Sequence, residues 1–98
     1  MIKRKDNQLT LGEAIRHLIA DLGMEDKILS VQSEEIFVEM MGDYIMKYVE
    51  KTAVQKQILF IKINSPELRN ELLYGKSKII AHINEEIGKD YIKDVKFI

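Results

Sequence analysis

The chain has 98 residues, 46% hydrophobic and 32% charged, with five glycines and one proline, so it holds one compact core and neither two domains nor a low-complexity tract. It contains no cysteine, which excludes disulfides, thiolate metal ligands and cysteine nucleophiles together. No apolar run approaches the roughly 18 residues of a membrane span. The basic start Met1-Ile2-Lys3-Arg4-Lys5 leads into an amphipathic segment and not into a signal peptide's apolar stretch, so a cytoplasmic location is expected.

A formal net charge of −1 argues against tight phosphate binding, but it is an average over unlike halves. Residues 6–46 carry two bases, Arg16 and Lys27, against nine acids. Residues 47–98 carry ten bases against seven acids, and Lys3, Arg4 and Lys5 add a basic start. This polarity predicts two surfaces with different partners.

Taken in chain order, residues 1–8 read as a flexible basic arm and 9–98 as one domain. Leu11, Ala14, Ile15, Leu18, Ile19 and Leu22 recur at helical spacing. Thr10 and Glu13 form a capping box before them and Gly23 suits a left-handed stop, so a helix is predicted over about 10–22. A short turn at 25–30 is expected to lead into a long helix bearing Ile36, Phe37, Met40, Met41, Tyr44, Ile45 and Tyr48, interrupted at Gly42. Gly42 signals close packing or a local break.

The period then changes to that of strands. Tyr48–Val54 and Ile58–Ile63 read as an antiparallel hairpin about Gln55-Lys56-Gln57. That turn lacks glycine and asparagine, which predicts a longer loop or a bulge. Ser65 as cap and Pro66 at the first position start a helix whose stripe of Leu68, Leu72, Ile79, Ile80, Ile83 and Ile87 runs to Gly88. Tyr91, Val95 and Phe97 alternate in a last strand. The expected class is α+β, ordered ααββαβ, a small sheet of about three strands packed against helices.

Catalytic and cofactor motifs fail on spacing. Gly75-Lys76-Ser77 resembles the end of a phosphate loop, but its first glycine position is Asn70 and the tripeptide follows no strand. Glycines 12, 23, 42, 75 and 88 include no Gly-x-x-Gly pair, the clamp with which K-homology domains hold RNA. Glu13, His17 and Asp21 share a helix face, as do His82, Glu85 and Glu86, yet polar residues on an exposed face need no metal. Two histidines without a recognisable nucleophile make no triad. No catalysis, cofactor, metal, membrane contact or small-molecule substrate is expected.

The basic second half supplies nucleic-acid candidates: Lys51, Lys56 and Lys62 on the hairpin, and Arg69, Lys76 and Lys78 on the following helix. Arg69 and Lys76, seven residues apart on one helix, would form a phosphate-facing row; alternatively Arg69 braces Glu71 or another acid. Phe37, Met40, Met41 and Tyr44 are candidates for a protein partner, methionine being adaptable and aromatics broad in contact, although helical spacing also suits them to the core.

Several of these residues fall into a pattern: Phe37-x-x-x-Met41-Gly42, Thr52, Leu59-Phe60-Ile61-Lys62-Ile63, Asn64-Ser65-Pro66-Glu67-Leu68-Arg69-Asn70-Glu71-Leu72, Lys76-Ser77-Lys78, Ile83-Asn84-Glu85-Glu86-Ile87-Gly88 and Val95-Lys96-Phe97. It resembles the DciA family over nearly the whole chain, most specifically across Leu59–Leu72. Phe37 stands where the family's tryptophan is usual, Gln57 where a hairpin glycine is common, and Gly75 where a larger apolar residue is frequent. The resemblance implies a K-homology-like fold and a non-enzymatic adaptor that promotes loading of the replicative DNA helicase, binding the helicase and, weakly and salt-sensitively, single-stranded or forked DNA. Longer members carry an additional disordered basic segment, expected to be missing here. An RNA-associated or protein-interaction module with the same fold and another partner is the alternative.

Overall fold

The computed structural model describes residues 10–98; the basic arm expected over 1–8 lies outside them. The chain forms α1 (Leu11–Asp21), α2 (Glu25–Met46), β1 (Val49–Gln55), β2 (Ile58–Ile63), α3 (Pro66–Tyr74), α4 (Lys76–Ile87) and β3 (Asp94–Phe97). The fold is α+β in the order ααββαβ, with the second-to-last element divided in two. The division falls at Gly75, which closes α3 with its N–H on the Leu72 carbonyl and opens α4 by accepting from the Ile79 amide. The unbroken apolar stripe predicted one helix because periodicity does not register a one-residue break that keeps the same face buried.

Local chemistry fixes most boundaries. Thr10 and Glu13 exchange capping-box hydrogen bonds of 3.0 and 3.1 Å. At the other end of α1, Gly23 (φ +72°) gives its amide to Ala20 and Met24 gives its own to Ile19, the paired bonds of a Schellman stop. Residues 25–30 belong to α2 itself and are not a separate turn. Gly42 (φ +81°, ψ 169°) kinks α2 in a backbone region open essentially to glycine alone. A Cβ there would meet nothing within 4 Å, so the break, and not close packing, explains the glycine.

The three strands lie in the order β1-β2-β3, the first pair antiparallel and the second parallel. Lys56 (φ +51°) and Gln57 (φ +66°) turn the hairpin in two residues, both left-handed. The expected longer loop is therefore a tight turn, and the irregularity sits at the far end, where register shifts between Val49 and Lys51. Gln57 tolerates this conformation while its side chain donates to the Tyr91 carbonyl at 3.0 Å and its own carbonyl accepts from the Lys93 amide at 2.8 Å.

Leu59, Ile61 and Ile63 of β2 and Val95 of β3 form one buried face with Phe37 of α2 and Ile79 and Ile83 of α4. Leu68 and Leu72 of α3 close its margin. Tyr91, expected within the last strand, precedes it: its ring is buried while its hydroxyl bonds Ser30 at 2.8 Å and the Asp26 carboxylate at 2.8 Å. Burial holds the Tyr91 phenol above its ordinary pKa. Asn84 meets the Ile92 backbone as a strand would, accepting from its amide at 2.8 Å and donating to its carbonyl at 2.9 Å.

Helix α1 stands apart. It buries no residue and makes no substantial packing contact with another element. The radius of gyration is 17.0 Å, against about 13 Å for a compact chain of this length. No helix among the described residues is long and apolar enough to cross a membrane.

Three stability changes are expected. Asn84→Leu, which leaves the buried Ile92 amide and carbonyl unpaired, should cost about 1–3 kcal/mol and lower the thermal midpoint accordingly. Lys56→Gly should raise stability by roughly 0.5–1 kcal/mol by relieving the left-handed turn, whereas Gln57→Gly should gain less because it forfeits the bond to Tyr91. Calorimetric melting of the three variants measures all of these.

Candidate nucleic-acid and partner interfaces

Strand alternation divides the sheet's side chains cleanly. With Leu59, Ile61 and Ile63 turned to the core, Ile58, Phe60 and Lys62 occupy the opposite face of β2. Register then places Lys51, Ala53 and Gln55 of β1 and Lys96 of β3 on that same outer face. Lys51 and Lys62 are direct cross-strand partners, a like-charge pairing that destabilises a sheet. Glu50, at the register shift, approaches the Lys62 ammonium to 3.9 Å, both groups being about half exposed. Of the three hairpin lysines singled out in the sequence, Lys51 and Lys62 pair directly near the open end of the hairpin, while Lys56 sits in the turn at its other end. Lys96 was missed; its alternation with Val95 and Phe97 was the signal that would have placed it outward. A shallow cavity of about 360 Å³ lies over this face, bounded by Lys51, Ala53, Gln55, Phe60, Lys62 and Ile98.

The basic residues of α3 and α4 do not form the expected row. The break at Gly75 removes the single helix that would have aligned Arg69 with Lys76. Arg69 is turned inward, donating to the Ile63 carbonyl at 3.0 Å, while its Nε is buried without a partner. It braces a strand end, and its partner is a carbonyl where a carboxylate was expected. Lys76 pairs with Asp94 at 2.9 Å. That ammonium, with the Val95 amide bonded to the same carboxylate, holds Asp94 below the usual carboxylate range. Lys78 is exposed in the first turn of α4.

The partner candidates also separate. Phe37 is fully buried in the core and offers no contact surface, a correction to its reading as a docking residue. Met40 and Met41 are half-buried against that core. Tyr44 is 68% exposed, with its ring 6.0 Å from Tyr48 in an edge arrangement and the Lys47 ammonium 5.7 Å from its centroid. The larger open apolar surface is one that periodicity assigned to a core: Leu11, Ile15, Leu18 and Leu22 of α1 and its C-cap are all exposed, Leu18 by 57%. Their alternating four- and three-residue spacing is that of a narrow helix-pairing seam. A separate groove of about 750 Å³ between α2, β1 and α4 is lined by Glu34, Glu35, Glu39 and Glu86 over Ile36 and Ile87. Thr52 crosses its floor to donate to Glu34.

Glu13, His17 and Asp21 run along α1, where Glu13 is engaged in the cap. The Thr10 amide bonded to it holds its carboxyl below the ordinary range. No group of three or more potential metal ligands gathers among the described residues.

These features define a small α+β domain with an acidic groove on its helical side, a lysine-bearing outer sheet face, and an apolar helix, α1, that the described residues leave uncovered. The chain belongs to the DciA family: the family model described as Dna[CI] antecedent, DciA, matches residues 10–97. No curated protein matches the chain significantly.

The Lys76–Asp94 pair has a pH signature. Because the folded pKa of Asp94 is depressed, its contribution is present above the unfolded carboxylate's pKa and is lost as pH falls through the folded value. Lys76→Met should move the Asp94 midpoint upward in a carboxyl NMR titration.

Proposed function

We propose that the chain is a non-enzymatic DNA-replication adaptor that holds the replicative helicase through its helical side and DNA, weakly, through the outer face of its sheet. Family membership over residues 10–97 carries this reading. The distribution of side chains supports the division of labour. Lys51, Lys62 and Lys96 share an uncovered face, with Lys56 at its rim, and lysine point charges suit phosphate contact without base readout. On the other side, the exposed seam of α1 fits a helix of a protein partner, and Tyr44 adds a broad contact further along α2.

The outer sheet face and the α1 seam share no residue, so neither ligand needs to displace the other. The absence of a Gly-x-x-Gly clamp sets this chain apart from domains that read RNA by gripping its backbone.

Fluorescence anisotropy across a salt series should give weak binding to single-stranded DNA with a logarithmic slope of about −2, as about three phosphate contacts on a single strand require. Each of Lys51→Ala and Lys62→Ala should reduce that slope by about 0.7. Leu18→Asp should abolish capture of the cognate replicative helicase in a pull-down while leaving the DNA titration unchanged. Failure of the wild-type chain to retain the helicase overturns the adaptor reading, and absence of DNA binding at low salt removes DNA from it.

A further inference from the structure

Phe60 is a half-buried aromatic residue that lies outside the core. It lies in the central strand, where a phenylalanine would ordinarily serve the core, yet its register puts it on the outer face. Neither the buried core nor the half-buried apolar residues packed on that core include it. Across the hairpin it faces only the methyl group of Ala53, and on its other side stands Lys96. Lys62 follows two residues along β2, and Lys51 is the cross-strand partner of Lys62. The face therefore centres an aromatic ring within a group of ammonium groups, one of them loosely paired with Glu50. The shallow cavity above it includes Phe60 in its lining.

An apolar protein surface would gain from the ring but would have to desolvate the surrounding ammonium groups without compensation. Phosphate alone would satisfy the lysines and leave the ring unused. A strand of nucleic acid with unpaired bases satisfies both, since a base can stack on the ring while flanking phosphates meet the lysines. A duplex cannot, because its bases are already stacked within it and only its backbone reaches a flat sheet.

We infer that Phe60 is a base-stacking residue and that the outer sheet face selects single-stranded over duplex DNA through it. The inference rests on the proposal that this face binds DNA, and the two fail separately. Anisotropy titrations at low salt would compare a thymidine oligonucleotide, the same oligonucleotide made abasic at its centre, and a blunt duplex, using the full chain. Phe60→Leu, which keeps an apolar side chain of strand-compatible size, should weaken binding to the single strand by about 5- to 150-fold, the range of one lost stacking contact. Duplex affinity should change by less than about twofold, because its phosphate contacts remain. Phe60→Tyr should restore single-strand binding, and the central abasic site should cost the wild type more than it costs Phe60→Leu. Quenching of 2-aminopurine placed in the oligonucleotide should accompany wild-type binding and vanish with Phe60→Leu. Circular dichroism of each variant separates these effects from misfolding. Equal losses on single strand and duplex, or no loss on either, overturn the stacking role while leaving the lysine face standing. If Lys51→Ala and Lys62→Ala also leave binding intact, the DNA face itself is wrong.

Discussion

The parallel pairing of β3 with β2 is the constraint on which the rest of the domain depends. A hairpin forms from neighbouring residues, but a parallel partner must be returned across the sheet by a crossover. Here α3 and α4 perform it, and the returning chain has to be stopped in register within a few residues of Gly88. Asn84 does this by presenting its amide to both backbone groups of Ile92. Gln57 and Tyr91 add the second fixing point, tying the hairpin tip and the first turns of α2 to the same segment. With β3 held, Val95 completes the buried face of β2 and Phe37 is enclosed. The placing of Asn84 four residues before Gly88 thus has a physical reason: one side chain sets the register, and the glycine (φ +89°) permits the reversal that brings the chain to it.

How much of this was legible in the sequence follows from how local each cause is. The α1 cap, the Ser65-Pro66 start and the left-handed stops at Gly23 and Gly88 all involve residues within a few positions of one another, and all stand where the sequence puts them. The turn at Lys56-Gln57 was read as long because two-residue turns favour glycine and asparagine. It is short because Gln57 is held by Tyr91 and Lys93, partners distant in the chain. Arg69 is equally ambiguous in sequence: the acids Glu67 and Glu71 lie two residues to either side of it, but its partner is the carbonyl at the end of β2. Gly75 is an opposite case, a local break masked by an apolar stripe that continues in phase across it.

The candidate sites divide along the same line. Alternation and register in β1 and β2 put Lys51 and Lys62 on one face of the sheet, while Lys56 lies in the turn beyond the strands. Phe37 could not be assigned from spacing alone, since an amphipathic stripe predicts burial only when something exists to cover it. The stripe on α2 is covered by the sheet and α4; the stripe on α1, better formed and better capped, is covered by nothing among the described residues. A hydrophobic pattern specifies a face, and the tertiary arrangement decides whether that face is core or surface.

This also changes what a near-neutral charge means. The acids of the groove on α2 and α4 and the lysines of the hairpin lie on opposite faces of the sheet and adjoin only at Thr52 of β1, so each face presents its own field within a Debye length of about 10 Å. A face with about three free lysines cannot hold DNA tightly at physiological salt, because each released counterion adds only a modest factor. On the adaptor reading tight binding is unnecessary. Once one side is docked on a partner already at DNA, the other samples that DNA at a high effective concentration, and a weak contact is populated without being difficult to release. The same domain on its own would remain largely unbound, which confines its hold on DNA to complexes where the partner is present.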